Sequence, residues 1–298
     1  MKKIALRLTA AVFTLCMLSA VTSCASRPVL DTAADERAYP QQLYVPESFD
    51  WQQVCPGIDR FDFNNTSFPV RYHAVRIDLA TDGLMLTAVP GTGTDGKKTG
   101  NLSTSVFAKK YGCTVAMNTT PFTAGKKIVG IHLFQRERFA PPADRYCALV
   151  FRRDPDTGLT FRASVADTQS EENLKGAEYA FGGFFSILRN GEKKLFPVSR
   201  HDSRSCAGVS KDGRMLYLLV VEGEVPGKST GLSYPQCADI LSAMGCTDAM
   251  EFDGGSSSDL CINGTSVLSY PIIMSQAASI GFTVRKPDGA SDLSENGR

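Results

Sequence analysis

The spacing of apolar and polar positions divides the chain into short strands and a few helices. Tyr72 to Leu79 and Leu84 to Val89 have the pattern of half-buried or buried strands, and Thr81-Asp82-Gly83 between them predicts a hairpin. Ser103 to Tyr111 predicts a short helix stopped by Gly112, and Cys113 to Met117 then reads as a buried strand that delivers Asn118. Further strands are predicted at Tyr146 to Arg152, Leu159 to Ser164, Ala180 to Leu188, Cys206 to Ser210 and Met215 to Glu222, with hairpin turns at Asn190-Gly191 and Asp212-Gly213. Ser233 with Gln236 three residues later forms a capping box. Cys237, Ile240, Leu241 and Met244 follow at helical spacing before Gly245.

This last helix runs into Gly245-Cys246-Thr247-Asp248-Ala249-Met250-Glu251, which echoes Gly112-Cys113-Thr114-Val115-Ala116-Met117-Asn118 at Gly, Cys, Thr, Ala and Met. An internal duplication, a shared packing constraint or chance similarity accounts for the echo. If the two strands are neighbours, their polar tips open onto one cleft, where ligands commonly sit in sheet proteins. The second tip continues as Phe252-Asp253-Gly254-Gly255-Ser256-Ser257. Side chains alternate along a strand, so Glu251 and Asp253 share a face at roughly 7 Å between Cα atoms. Gly254 and Gly255 permit close approach of backbone to a ligand, and Ser256 and Ser257 add donors and acceptors.

The ends change the compartment. Lys2, Lys3 and Arg7 precede an apolar run from Leu8 to Val21, an export signal. Val21-Thr22-Ser23-Cys24 has the form of a bacterial lipoprotein signal, which predicts cleavage before Cys24 and a lipid on its thiol. The expected layout is a signal peptide at 1–23, a tether at 24–45, a folded part at 46–285 and a polar tail at 286–298. Loss of the signal takes the formal net charge from +1 to about −2, which gives no support for nucleic acid as a partner. Seven cysteines lie beyond Cys24, an odd number, so at least one stays free in an exported chain. No CxxC or paired His spacing supports zinc, and no cofactor is identified, although a divalent metal is left open.

Gly91-Thr92-Gly93-Thr94-Asp95-Gly96 fits a dinucleotide fingerprint, and with Lys97 nearly a phosphate loop. Lys98 stands where the magnesium-holding Ser or Thr belongs, so no nucleotide cofactor is expected and the segment reads as a loop able to overhang a site. Of the three histidines, His201 has the most suggestive setting, since His201-Asp202-Ser203-Arg204 offers an imidazole and a cation just before a strand.

Taken in order, these residues resemble the phosphodiester glycosidase family, whose members include an enzyme that removes N-acetylglucosamine from a phosphodiester on mannose. The carriers are Asn118 with Phe122, Phe181-Gly182-Gly183, Arg204 with Gly208, Val221-Glu222-Gly223, Pro226 to Ser233, Asp253-Gly254-Gly255-Ser256-Ser257, Asn263-Gly264 and Tyr270-Pro271, over roughly residues 70 to 283. Glu251 stands where the family usually has Asn, Glu222 where it has Asp, and Ser256 where it has Gly; Asn118 is followed by Thr119-Thr120-Pro121 instead of two glycines. With the strand pattern, the resemblance implies a single α+β domain with a mixed, largely antiparallel sheet system and a few packed helices.

It also implies hydrolysis at a sugar anomeric carbon with phosphate leaving. Asp253 is then the first choice for the carboxylate that acts as nucleophile or base, with Glu222 and Glu251 next. Arg204 is the expected phosphate-binding cation, because its planar fork matches phosphate oxygens. Asn118, Gly254, Gly255, Ser256, Ser257, His201 and Ser229 are the substrate-binding candidates. The expected partners are a sugar-phosphate or glycan substrate and a membrane reached through Cys24. The alternative is a non-catalytic glycan-binding or assembly lipoprotein on the same fold, and a purely structural envelope lipoprotein is third.

Overall fold

The run Met215–Glu222 is apolar on both sides because both of its faces are buried. Leu216, Leu218 and Val220 enter one core, while Tyr217, Leu219 and Val221 enter another, as the two-residue period of a strand requires. Each such side chain contributes about 1.5–3 kcal/mol when taken from water. This strand therefore sits inside a layered molecule. The computed structural model describes residues 40–88, 102–196, 200–223, 225, 227–270 and 275–285.

Three sheets make up the fold, with strands numbered in chain order. The largest has eight strands in the order β1 (Gln52–Cys55), β2 (Ile58–Asn65), β3 (Val70–Asp78), β14 (Met215–Glu222), β13 (Arg204–Val209), β15 (Asp248–Glu251), β11 (Phe185–Arg189) and β12 (Glu192–Lys193). The second runs β7 (Glu137–Ala140), β6 (His132–Phe134), β10 (Tyr179–Gly182), β8 (Ala148–Arg153) and β9 (Phe161–Ala166). The third runs β17 (Thr265–Ser266), β16 (Leu260–Ile262), β5 (Val115–Asn118), β18 (Ser279–Val284) and β4 (Leu84–Ala88). Neighbouring strands pair antiparallel, as in β3 with β14, β13 with β15 and β5 with β16.

Helices α1 (Thr104–Tyr111), α2 (Glu171–Leu174) and α3 (Tyr234–Ala243) cover these sheets. Cys237, Ile240 and Leu241 of α3 close one face of the large sheet, and Leu149, Phe151, Met117 and Phe282 of the smaller sheets pack on its other face. The result is a single α+β domain in which largely antiparallel sheets carry few helices. Tyr44, 4% exposed, packs under α3 and donates its hydroxyl to Asp239 at 2.9 Å, so the folded part begins slightly before residue 46.

Local expectations hold where the signal is local. Ser103 caps α1 by accepting from the Val106 amide at 3.3 Å, Gly112 ends it in the left-handed region, and the Ser233–Gln236 capping box opens α3. Two boundaries differ. β3 and β4 are not a hairpin, because Thr81-Asp82-Gly83 hands the chain from the large sheet to the third, where the Gly83 carbonyl accepts from Arg285. The predicted strand 180–188 is two strands in different sheets. The chain crosses at Gly182-Gly183, where a Cβ on Gly183 would lie 2.2 Å from Met250 Cε and 2.4 Å from the Glu251 carbonyl oxygen.

The echoed segments also have a packing reason. A Cβ on Gly281 of β18 would stand 2.3 Å from Cys113 Sγ, and one on Gly208 of β13 would stand 2.5 Å from Cys246 Sγ. In each case the thiol after a helix fills a notch left by glycine in a strand. The signal, the tether through residue 39, Cys24, the Gly91–Gly96 loop and the tail lie outside the described residues.

Candidate functional site

β5 and β15 lie in different sheets, yet their tips are tied together. Asn118, fully buried at the end of β5, donates Nδ2 to the Asp253 carbonyl at 2.6 Å, and the Asp253 amide donates to Thr119 O at 2.9 Å. The Asn118 Oδ1 accepts from Ser205 Oγ at 2.7 Å and from the Asp259 amide at 3.0 Å. One amide side chain therefore joins β5, β13 and both ends of the Asp253–Asp259 turn. This buried network leaves little freedom in the position of Asp253.

The carboxyl of Asp253 is partly buried, and burial pushes it up to about 6 against the opposing pull of a Ser257 hydrogen bond and the Lys126 charge. Lys126 is held by the Ser275 carbonyl at 2.5 Å and rests 4.1 Å above the Phe122 ring. Gly255 adopts φ +59°, and its amide donates to Ser203 O at 2.8 Å. A Cβ on Gly254 would stand 2.7 Å from Glu251 Oε1, so this glycine roofs the glutamate. Ser257 is buried in the same turn, whereas Ser256 is exposed.

Glu251 lies under that roof at 1% exposure. Burial pushes its carboxyl up to about 7, against the Arg204 charge and a Cys206 hydrogen bond, while the charges of Asp202 and Asp253 push it the same way as burial. The Cys206 thiol donates to Oε2 at 2.9 Å, and Arg204 Nη1 is 3.8 Å from Oε1. Arg204 is itself buried: Nε donates to Leu232 O at 3.0 Å, Nη2 donates to Arg200 O, and the guanidinium stacks 4.1 Å from the Tyr234 ring. Its fork is thus directed largely at backbone carbonyls.

Glu222, at the end of β14, is fully buried in a second cluster. Its Oε1 takes His73 Nε2 at 3.2 Å and the Ser269 amide at 2.8 Å, and its Oε2 takes Ser269 Oγ at 2.5 Å. His73 Nδ1 in turn meets Asp62 Oδ1 at 2.6 Å. Burial raises the Glu222 carboxyl, but the His73 and Ser269 hydrogen bonds outweigh it and hold the group below the usual carboxylate range. For His73 burial lowers the imidazole, and the bonds to Asp62 and Glu222 outweigh it and raise it. Tyr270 then reaches the loop before β13, its hydroxyl 3.4 Å from Ser203 Oγ.

That loop carries His201, half-buried, and Asp202, which pairs with Leu232. A Cβ on Gly223 would be 2.2 Å from Ser203 N, and one on Gly231 2.3 Å from Asp202 O, which is why glycine stands at both places. Ser229 is buried, donates to the Glu222 carbonyl at 2.5 Å and accepts from the Arg71 amide at 3.0 Å, so its hydroxyl is engaged within the fold.

Asn118, Asp253, Gly254, Gly255 and Ser257 therefore come together, with Glu251 and Arg204 directly beneath. Glu222 sits two strands over from Glu251, beyond β13, with Ser229 bonded to its carbonyl, and both are engaged with other partners. Sequence reasoning missed Lys126, Cys206, Asp62, His73, Ser269 and Tyr270. Only the strand register places His73 opposite both Asp62 and Val220, so no spacing signal marks it. Among the described residues no three His, Cys, Asp or Glu side chains converge to hold a metal ion, and the seven cysteines are free thiols.

A profile of the phosphodiester glycosidase family matches residues 111–284, more than half of the chain. A search of curated proteins finds no match. Among solved structures the fold is similar to a hypothetical protein from Synechocystis, with a TM-score of 0.60 and 15% identity over 80% of this chain and 64% of that one, so the chain spans less than two thirds of that protein. It is also similar to the catalytic domain of zebrafish N-acetylglucosamine-1-phosphodiester alpha-N-acetylglucosaminidase auto-inhibited by its pro-peptide, with a TM-score of 0.59 and 18% identity over 82% of this chain and 86% of that one. At these identities the structures speak for the fold, and the profile, which spans α1's last residue through β18, speaks for the lineage: the chain belongs to the phosphodiester glycosidase family.

Proposed function

We propose that the protein is an exported, lipid-anchored hydrolase that cleaves the glycosidic bond of a sugar-1-phosphodiester in envelope or environmental glycans. The observation that carries this reading is Asp253, a carboxyl raised to about 6 on a fully braced strand tip with a cation and a hydroxyl beside it. A group with that value is mostly ionised at neutral pH yet close enough to it to exchange a proton, as a glycosidase nucleophile or base requires.

Asp253 acts on the anomeric centre. Phosphate is a good leaving group, so the remaining demand is for charge stabilisation, which we assign to Lys126 and the turn that carries Ser257. Arg204 and Glu251 are positioning groups under the Gly254 roof, since their polar atoms face each other, Cys206 and backbone carbonyls. Glu222 braces the Ser269–Tyr270 segment beside the site.

The alternative, a glycan-binding lipoprotein without turnover, draws on the internal pairing of Glu222 and Arg204. The two separate cleanly in one assay. Hydrolysis predicts release of free sugar from a sugar-1-phosphodiester by the wild-type chain, whereas binding without release selects the alternative. The anchor rests on the Cys24 signal; replacing Cys24 by Ala moves the protein from the membrane fraction to the soluble fraction, and an unchanged distribution refutes lipidation at this thiol.

A further inference from the structure

Beside the N-terminus of α3 the fold exposes an aromatic shelf that the hydrolytic reading leaves unused. Phe185 and Leu195 are two of six large apolar side chains that stand exposed among the described residues, at 42% and 97%. Both line one open cavity of about 330 Å³, whose other lining residues include Phe184, Phe196, the cations Arg145 and Lys194, and one acid, Asp167. The rings form a continuous series. Phe184 and Phe185 stack at 6.0 Å, Phe185 meets Phe196 at 5.9 Å, and Tyr146 stands edge-on to Phe184 at 5.9 Å.

The rim is basic. Arg145 lies 4.6 Å over the Tyr146 ring and forms no ion pair among the described residues. Lys194 reaches only Asp167, at 3.9 Å, and that carboxylate already accepts from Ser186 at 2.5 Å and lies 3.5 Å from Arg189. Cations here exceed the anions that could neutralise them.

The shelf adjoins the candidate site through the strand register. Phe185 is registered opposite Glu251, and Cys206 opposite Glu251 on its other side, so all three share one sheet face. Tyr234 bridges them, 4.1 Å from Arg204 and with its ring centroid 5.7 Å from Phe185 and 5.0 Å from Phe196. The Phe184 amide donates to the Glu251 carbonyl at 2.8 Å, two residues before Asp253, a step of about 7 Å along extended chain.

An acyl chain would suit the rings but would take water from Arg145 and Lys194 without replacing it, which is costly. A sugar-phosphate unit suits both. Its C–H face packs on an aromatic ring, and its phosphate meets the basic rim in charge-assisted hydrogen bonds. We propose that this shelf is a second glycan subsite, which receives the unit neighbouring the scissile one, so that the substrate is a chain of repeating sugar phosphodiesters. The proposal rests on the glycosyl-phosphate reading of the Asp253 site.

The test compares a one-unit glycosyl phosphodiester with a three-unit oligomer on the full chain, by calorimetric binding and by KM. Expected is binding of the oligomer at least about tenfold tighter, with KM lower in proportion. Phe185→Ala and Arg145→Gln, both at exposed side chains, each bring the ratio back toward one, with melting temperature as the check on folding. A wild-type ratio near one, or a ratio that survives both substitutions, overturns the subsite. So does equal binding of a phosphate-free trisaccharide, tighter binding to lipid vesicles than to the oligomer, or a dimer that Phe185→Ala dissolves. If the wild type cleaves neither probe yet keeps an oligomer preference that both substitutions abolish, the subsite stands and the hydrolytic reading falls. Cleavage with no length preference overturns the subsite alone.

Discussion

Glu222 and Glu251 are both buried at the ends of strands in one sheet, and their carboxyls move in opposite directions. Desolvation raises both. Glu222 receives a ring nitrogen, an amide and a hydroxyl, all within 3.2 Å, which suffices to hold it ionised. Glu251 receives one thiol and a guanidinium at 3.8 Å whose other donors are spent on carbonyls, and it also faces the charges of Asp202 and Asp253. The lesson is that the count and quality of donors, not burial as such, decides the charge of a buried acid. One glutamate is held in its anionic form and clamps a loop, and the other is a group that titrates near neutral pH beneath the candidate nucleophile.

The largest expected effect falls on Asp253, whose charge Glu251 feels. Asp253→Asn keeps the Asn118 tie, which uses the Asp253 backbone, and lowers turnover of a sugar phosphodiester by at least ~100-fold; near wild-type turnover in the purified variant removes Asp253 from the chemistry. Glu251→Gln tests the raised carboxyl by linkage. A folded value above the unfolded one means the native state holds the extra proton, so wild-type stability from this group is full below about pH 4.5 and is lost as pH rises through about 7. The variant lacks that loss, and the difference in unfolding free energy moves about 3 kcal/mol in its favour between acid and mildly alkaline pH. Chemical denaturation across pH reads this directly, and a pH-independent difference refutes it.

Glu222→Gln has the opposite sign, destabilising by about 2 kcal/mol at neutral pH, because it removes an anion from His73 and Ser269 while Asp62 still holds the imidazole. An unchanged melting temperature would erase the contrast between the two glutamates. His73→Gln is milder, about 1 kcal/mol, since the Asp62 side of the pair is about a third exposed and screened. The raised His73 value gives a contribution lost as pH rises through it, and the lowered Glu222 value gives one lost as pH falls through it. The Ser269 amide is therefore best protected from hydrogen exchange between those two values, and His73→Gln removes the alkaline decline; a decline that persists in the variant belongs to another group.

Much of the local structure was legible because its causes are local. The short helix that begins near Ser103, the capping box at Ser233, the stops at Gly112 and Gly245, and the turn at Asn190-Gly191 each depend on residues a few positions apart. The Asp253 turn was legible as a motif for the same reason. The hairpin at Thr81 to Gly83 and the unbroken strand from Ala180 to Leu188 were misread, because whether a strand pairs with its sequence neighbour depends on the sheets that meet around it. The isolated His73 and Lys126 carried no pattern at all, and their partners arrive from distant segments.

By itself the sequence determined the helix stops and tight turns, which runs are buried, and the lineage written in its ordered motifs. Tertiary structure decided which of the polar residues meet: Asn118 and Asp253 across 135 positions, and His73 and Glu222 across 149. It also decided which carboxyls are charged, because solvation and hydrogen bonding are set by whatever the folded chain brings within a few ångströms, and that distance is not a property of sequence separation.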